Sequence, residues 1–177
     1  MKVIMVAVSS LNGKITKEKD PNIYSWTSKE DSQLFFSLIE KSNLIVMGSK
    51  TYEVARKFIQ HKKNRLRIVL TKTPQKYLRE SIGGMLEFTN ENPQKLVNRM
   101  KNKGYKKMLV VGGGLTNALF LKSKLVNEVY LTIEPRLFGV GTNLLNEKNI
   151  DVQLRLTSIM KLNKQGTLHL KYSFPQV

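Results

Sequence analysis

Short apolar runs rich in β-branched residues alternate along most of the chain with longer segments whose apolar residues recur at three- and four-residue spacing. This alternation is typical of an α/β sheet domain. The sequence predicts strands at residues 3–9, 43–47, 67–71, 85–88, 108–111 and 128–134. It predicts helices between them at residues 29–41, 50–59, 93–103 and 115–123.

Near the C-terminus the pattern changes to two alternating runs, 152–162 and 167–174, around a short polar segment that ends at Gly166. Such runs predict a β-hairpin. We therefore expect a single α/β domain over residues 1–177, with a mostly parallel central sheet flanked by helices and an antiparallel C-terminal β-hairpin. The irregular segment 10–27 is long enough to be a functional loop beside a site.

The composition limits the kinds of site that the chain can form. With 177 residues and 41% apolar content, the chain can bury a core without covalent links. The absence of cysteine excludes disulfides, thiolate metal sites and a cysteine nucleophile. Because His61 and His169 are the only histidines, we expect no metal site. No charged leader and no apolar run of membrane-spanning length is present, so we expect a cytoplasmic protein without a membrane partner.

The net charge of +17 suggests an anionic partner. Lysines make up 23 of the 30 basic residues and are spread along the chain, which favours a solvated lysine-rich surface. The denser patches, 61–67 and 101–107, lack the interleaved aromatic residues on which single-strand binders stack bases. This argues against nucleic-acid binding and leaves a charged small-molecule substrate as the expected partner. A homodimer stays open.

Two glycine-containing turns follow predicted strands and precede predicted helices. Gly112, Gly113 and Gly114 come directly after one strand, while Gly48 begins a turn that continues to Thr51. Glycine lets backbone amides approach an anion at a helix N-terminus, although a plain tight turn has the same sequence. Because ligands of open α/β sheets lie outside the carboxyl ends of strands, both turns could face one crevice that holds a phosphate-bearing cofactor.

Asp31 lies on the apolar stripe of the first predicted helix, together with Leu34, Phe35 and Leu38. A carboxylate in apolar surroundings tends to have a raised pKa and often marks a site. The alternative is structural, because Ser28 followed by Asp31 resembles a capping box. Function is favoured modestly over capping, and the two roles are compatible.

The spacing of Trp26, Asp31 and Phe35 resembles the substrate segment of dihydrofolate reductases. Residues 48–53 and 110–114 resemble the two cofactor turns of that family, and residues 130–132 resemble its strand whose threonine supports the acidic residue. Arg65 falls where family members bind the glutamate carboxylate of folate. These matches follow in order, so their joint spacing is specific and implies a dihydrofolate reductase-like fold.

Other segments resemble a sister branch, the riboflavin-pathway pyrimidine reductases of the same fold: residues 9–15, 125–129 and 134–141. Asn12 stands where an aspartate is common in that branch. No zinc-deaminase segment is present, so we expect a stand-alone reductase rather than a bifunctional enzyme. Ser49 stands where dihydrofolate reductases often carry an arginine for the cofactor's 2′-phosphate, and Asn117 where they often have tyrosine. Lys50 or Lys72 would have to supply the missing charge.

The resemblance implies an NADPH-dependent oxidoreductase, with reduction of 7,8-dihydrofolate to tetrahydrofolate as the leading prediction. The second prediction is a stand-alone 5-amino-6-(5-phosphoribosylamino)uracil-type reductase of riboflavin biosynthesis. A basic nucleic-acid-binding module is the distant alternative.

The resemblance also implies roles for individual residues. The catalytic residues would be Asp31, which would bind the pterin, Thr132, which would orient Asp31, and Trp26, which would order nearby water. The other substrate-binding residues would be Met5, Val6, Ala7, Phe35, Arg65 and Val111. The cofactor-binding residues would be Asn12, Gly13, Lys14, Gly48, Ser49, Lys50, Thr51, Leu70, Thr71, Lys72, Gly112, Gly113, Gly114, Leu115 and Thr116.

Overall fold

The computed structural model describes residues 1–18, 20, 22–146 and 149–175. Eight strands form one sheet: β1 (Lys2–Ser10), β2 (Leu44–Gly48), β3 (Leu66–Leu70), β4 (Leu86–Thr89), β5 (Lys107–Val110), β6 (Glu128–Glu134), β7 (Arg155–Lys161) and β8 (Leu168–Ser173). Their order across the sheet is β4-β3-β2-β5-β1-β6-β8-β7. The first six strands are parallel, and β7 and β8 add an antiparallel edge. The predicted fold class is confirmed.

Helices cover both faces of the sheet: α1 (Lys29–Glu40), α2 (Ser49–Ala55), α3 (Pro93–Asn102) and α4 (Gly114–Lys122). Residues of α3 and α4 pack on one face in a cluster around Met108 and Phe120. Residues of α1 and α2 pack on the other face around Ile45 and Val69. Since the central parallel strands are buried on both faces, their sequences are nearly continuous apolar runs.

Some elements differ from the sequence-based expectation. The helix predicted to end at residue 59 changes after Ala55 into a 3-10 turn, Arg56–Phe58, which Ile59 closes by bonding back to Arg56. Two other 3-10 segments, Ile23–Ser25 and Pro74–Glu80, were not predicted, because such short helices leave no amphipathic repeat.

The first hairpin strand is also shorter than predicted. β7 begins at Arg155 and carries a register shift between Leu156 and Ser158. Its side chains are largely exposed, so no buried face imposes its register.

Among the described residues, no helix has the length and hydropathy needed to cross a membrane. The same part of the chain contains no group of three acidic or histidine side chains placed to hold a metal ion.

Candidate functional site

A cleft of about 1190 Å³ opens at the edge of the sheet where β1, β2, β3 and β5 end. This volume exceeds the roughly 300–1,000 Å³ that holds one drug-sized ligand. The cleft lies on the face covered by α1 and α2. It therefore has room for a large cofactor and a second ligand side by side.

The two glycine turns meet at this edge. The backbone N–H of Gly48 donates to the carbonyl oxygen of Gly112 at 2.8 Å. A Cβ at Gly48 would lie 2.6 Å from Oγ1 of Thr116, and one at Gly113 would lie 3.3 Å from Oγ1 of Thr51. The glycines thus allow a close contact that side chains would obstruct. The predicted joining of both turns in one crevice is confirmed by this geometry.

The N-terminus of α4 suits an anion. Gly113 is its N-cap and provides no side-chain hydrogen bond, so within the described part of the chain no side chain caps the first backbone N–H groups of the helix. Most of the predicted cofactor residues line the cleft: Gly48, Ser49, Lys50, Thr51, Leu70, Thr71, Lys72, Gly112, Gly113, Gly114, Leu115 and Thr116. This end of the cleft therefore combines backbone donors, hydroxyls and two lysines.

Three predicted cofactor residues lie elsewhere, in the loop after β1. Asn12 donates to the carbonyl oxygen of Phe138, and Lys14 donates to Asn143. The loop, which includes Gly13, packs on the segment that follows β6, and none of the three residues lines the cleft. Their contact with a cofactor stays a prediction.

Ser28 caps α1, but Asp31 does not complete a capping box. The Ser28 hydroxyl accepts from the backbone N–H of Asp31 at 3.2 Å. The backbone N–H of Ser28, which would donate to Asp31 in a capping box, instead donates to Oε1 of Glu134 at 2.6 Å. The carboxyl group of Asp31 is therefore not used to cap its own helix. This removes the capping box as the explanation for a buried carboxyl group at that position.

Burial raises the pKa of Asp31 to about 6, with a smaller contribution from the negative charge of Glu134. The nearby hydroxyl of Thr132 acts in the opposite direction and lowers this pKa. Asp31 is only 6% exposed and lines the cleft. It is thus a carboxyl group that can hold or release a proton near neutral pH, as the apolar stripe of the helix predicted.

His169 is a site residue that the sequence reasoning missed. It pairs directly with Thr132 across β6 and β8, and its Nδ1 lies 3.3 Å from the threonine hydroxyl. The ring lines the cleft and is almost fully buried. The only signal in the sequence is a polar residue between Leu168 and Leu170 in an apolar strand.

Arg65 is buried at the far end of the cleft and already has partners. Its Nε donates to the Ser42 carbonyl at 3.0 Å, and its two terminal nitrogens donate to Glu40. Arg65 and Lys62 hold the pKa of Glu40 at about 2. The predicted clamp on a substrate carboxylate stays a prediction, and in this structure the guanidinium fastens β3 to the end of α1.

Arg67, which was not predicted as a site residue, lines the same end of the cleft. It is buried, and the only hydrogen bond that its side chain makes with the described residues is to the Gln60 carbonyl, at 3.0 Å. Burial and the charge of Arg65 lower its pKa. In the sequence, the signal that could have identified Arg67 is a charged residue inside an otherwise apolar strand. Arg67 thus has donors left for an anion.

The predicted apolar contacts divide between the two faces of the sheet. Val6 and Ala7 line the cleft with Phe35 and Val111. Met5 points away from its neighbours Ile4 and Val6, packs in the cluster on the opposite face and does not line the cleft.

Trp26 is also set back from the cleft. It packs edge-on against Phe138, with ring centroids 5.1 Å apart, and contacts Val8. Its Nε1 is buried without a partner among the described residues. The predicted role of Trp26 in ordering water stays a prediction.

Three aromatic rings at the mouth of the cleft were not predicted. Tyr24 stacks on Phe36 at 6.2 Å between centroids and meets Phe58 edge-on at 5.8 Å. Phe36 and Phe58 remain about half exposed although all three rings line the cleft. Exposed apolar surface of this kind commonly marks a ligand groove.

The parallel sheet, the joined glycine turns and the buried carboxyl group define a protein of the dihydrofolate reductase-like α/β class. The family model described as the RibD C-terminal domain matches residues 1–168, and the chain belongs to that family. It is 24% identical over 173 residues to the uncharacterized protein YwjB of Bacillus subtilis (strain 168), with 95% of this chain and 96% of YwjB covered.

Solved structures share the fold. A putative riboflavin biosynthesis protein from Shewanella sp. PV-4 superposes with a TM-score of 0.80 at 21% identity, covering 99% of this chain and 100% of that one. A diaminohydroxyphosphoribosylaminopyrimidine deaminase/5-amino-6-(5-phosphoribosylamino)uracil reductase from Thermotoga maritima gives 0.74 at 13% identity, covering 98% of this chain and 56% of that one. At these identities the similarity establishes the fold.

Proposed function

We propose that the protein is an NADPH-dependent reductase of a phosphorylated aminopyrimidine that carries a ribosyl chain, of the 5-amino-6-(5-phosphoribosylamino)uracil type. The observation that carries this proposal is that one cleft contains both an anion-suited pair of glycine turns and a protonatable buried carboxyl group. Membership of the RibD C-terminal domain family supports the same substrate class. The deaminase/5-amino-6-(5-phosphoribosylamino)uracil reductase from Thermotoga maritima has the same fold as this chain.

The residues at the glycine turns fit a dinucleotide phosphate. A Cβ at Gly113 would crowd the Thr51 hydroxyl, and one at Gly48 would crowd the Thr116 hydroxyl. Because glycine has no Cβ, the backbone there can approach a pyrophosphate. Lys50 and Lys72 at the ends of β2 and β3 would pair with the 2′-phosphate. Bound NADPH would supply the hydride, and the protein would supply binding, orientation and a proton.

Asp31 would supply that proton. When the ribosyl ring opens, the C1′ carbon forms an imine with the exocyclic nitrogen. Addition of a hydride to C1′ and of a proton to the nitrogen then gives the ribityl amine. A general acid is most effective when its pKa lies near the working pH, and the pKa of about 6 for Asp31 meets this requirement.

Arg67 would bind the substrate's phosphate. The buried cluster of Arg65 and Arg67 carries two positive charges, of which Glu40 pairs with Arg65 alone. A phosphate would accept bonds from the remaining guanidinium donors of Arg67 and reduce the repulsion between the arginines. A substrate with a terminal phosphate therefore matches this end of the cleft.

Dihydrofolate is the second candidate substrate, and one observation favours it. The rings of Tyr24, Phe36 and Phe58 form an apolar rim that a phosphoribosyl chain does not need. An aromatic tail like that of folate would pack against this rim.

The test is NADPH oxidation, followed by absorbance, with the phosphorylated pyrimidine and dihydrofolate measured side by side. We expect kcat/KM to be higher for the pyrimidine. Preference for dihydrofolate would support the second candidate, and absence of oxidation with both substrates would contradict the reductase proposal.

The Arg67→Met variant, measured in the same assay, tests whether Arg67 binds the substrate's phosphate. Loss of a charge-assisted hydrogen bond of about 1.5–3 kcal/mol should raise KM for the phosphorylated pyrimidine by roughly ten- to a hundredfold, without changing the affinity for NADPH. Arg79→Met removes an equal charge from an exposed position outside the cleft and serves as the control. An unchanged KM in Arg67→Met would remove Arg67 from the phosphate site.

A further inference from the structure

The antiparallel pairing of β6 with β8 places a row of polar side chains under the N-terminus of α1. Residues two apart on a strand share a face, so Thr132 and Glu134 face the same side as their neighbours His169 and Thr167. The Thr167 hydroxyl donates to Glu134 at 2.7 Å, and Thr132 contacts His169 at 3.3 Å. The carboxyl group of Asp31 lines the same cleft as Thr132 and His169, and the Thr132 hydroxyl is near enough to lower its pKa.

The hydrogen bonds of Thr132 determine the tautomer of His169. A hydroxyl group has one proton to donate, and here it has two neighbours, Asp31 and Nδ1 of His169. If that proton goes to Asp31, then His169 must donate through an Nδ1–H. If it goes to His169, the ring must carry its own proton on Nε2.

The environment of Nε2 selects between these arrangements. Nε2 is buried and has no hydrogen-bond partner among the described residues. An unpaired buried N–H is rarer in proteins than an underused acceptor, so the proton belongs on Nδ1. Burial lowers the pKa of His169, and the charge of Lys171 acts in the same direction, so the ring is neutral.

We propose that His169 is a positioning residue, whose Nδ1–H holds the Thr132 hydroxyl as a donor to Asp31. One carboxyl oxygen of Asp31 is then occupied as an acceptor, and the proton of its neutral form is directed away from Thr132, toward the cleft. The part of this inference that concerns proton delivery rests on the proposed reductase function. The hydrogen-bond chain itself does not.

Two titratable groups interact with the charge of Asp31, and two more lie on β8, the strand that carries His169. Glu134 on β6 raises its pKa, and Tyr24 before α1 interacts with its charge. On β8, His169 lies behind Thr132, and Lys171 is next along the same face. Of these groups, only His169 is changed in the test.

The first measurement uses the free protein and needs no substrate. Ring nitrogen chemical shifts in ¹⁵N-labelled protein should show His169 as the neutral Nδ1–H tautomer. A carboxyl ¹³C titration should show the pKa of Asp31 rising by about one pH unit in His169→Leu, because Thr132 loses the donor that orients it. His169→Asn, whose amide nitrogen can take the place of Nδ1, should restore the wild-type titration.

The second measurement is the pH dependence of NADPH oxidation by the same variants. We expect His169→Leu to lower kcat about tenfold and to move the pH profile in the direction of the Asp31 titration, with KM for NADPH unchanged. His169→Asn should recover most of the loss. A structural role alone would lower the thermal midpoint of both variants without moving either profile.

An Nε2–H tautomer, or equal Asp31 titrations in wild type and His169→Leu, would overturn the hydrogen-bond chain. If the wild-type protein shows the expected tautomer and titrations but no reductase activity, the proposed function is overturned while the hydrogen-bond chain from His169 to Asp31 is supported. The two failures are therefore distinguishable.

Discussion

Asp31 is the residue on which the site depends, and its environment is set by neighbours far away in sequence. Glu134 takes over the capping bond that Asp31 could have made, while Thr132 and the apolar cleft set its ionisation. The helical spacing of α1 was enough to predict that Asp31 is buried. It could not predict Glu134 as its replacement, because that contact spans 106 positions along the chain.

Asp31→Asn should stabilise the protein at neutral pH. The folded-state pKa of about 6 lies above the usual value of 3.8, so the fold favours the protonated form. This contribution is present below pH 4 and is lost as the pH rises from about 4 to about 6. At pH 7 the buried charge costs on the order of 2–3 kcal/mol.

Urea denaturation at pH 7 and at pH 4 measures this difference. We expect the free energy of unfolding of Asp31→Asn to exceed that of wild type at pH 7 by up to that amount, and to show no gain at pH 4. Glu30→Gln, in the same helical turn but exposed, should show no comparable gain at either pH. A less stable Asp31→Asn protein at pH 7 would contradict a raised pKa for Asp31.

At the scale of elements, the contact between the turns before α2 and α4 forms the proposed cofactor half of the cleft. Local sequence predicted both turns, since each apolar strand runs into glycine. The hydrogen bond from Gly48 to Gly112 depends on β2 and β5 being neighbours, although β3 and β4 lie between them in sequence. Likewise, the register of β8 on β6, which brings His169 to Thr132, follows from no local pattern.

Gly48→Ala tests this contact. Its Cβ would approach Oγ1 of Thr116 at 2.6 Å, which is closer than real Cβ atoms come, so the Thr116 side chain must shift where the two turns meet. We expect the dissociation constant for NADPH, measured by fluorescence titration, to rise at least about tenfold while the fold is retained.

Gly83→Ala is the matched control for that change. A Cβ at Gly83 would meet no atom within 4 Å, so this variant should bind NADPH like wild type. Equal affinities in the two variants would show that the meeting of the turns is not part of the cofactor site.

At the scale of the whole molecule, the net charge of +17 attracts anions from a distance. Composition predicted an anionic partner but not where it binds. The fold places Lys50, Lys72 and Arg67 in the cleft, so NADPH and a phosphorylated substrate would both be drawn toward it.

Salt should therefore slow cofactor association. The Debye length falls from about 30 Å at 0.01 M salt to about 8 Å at 0.15 M, which screens attraction between separated charges. In stopped-flow fluorescence we expect the association rate constant for NADPH to fall roughly tenfold over this range, with a smaller change in dissociation. A rate constant independent of salt would show that the charge does not steer the cofactor.

The central claim is that Asp31 provides the proton for a hydride transfer in this cleft. The most direct test is the pH dependence of kcat/KM for NADPH oxidation with the phosphorylated pyrimidine, in wild type and in Asp31→Asn. Wild-type kcat/KM should fall as the pH rises through about 6, because Asp31 then loses its proton. Asp31→Asn should lower kcat/KM at pH 5.5 by roughly 10²- to 10⁴-fold and abolish that dependence. An Asp31→Asn enzyme that keeps the wild-type rate and pH profile would contradict the claim.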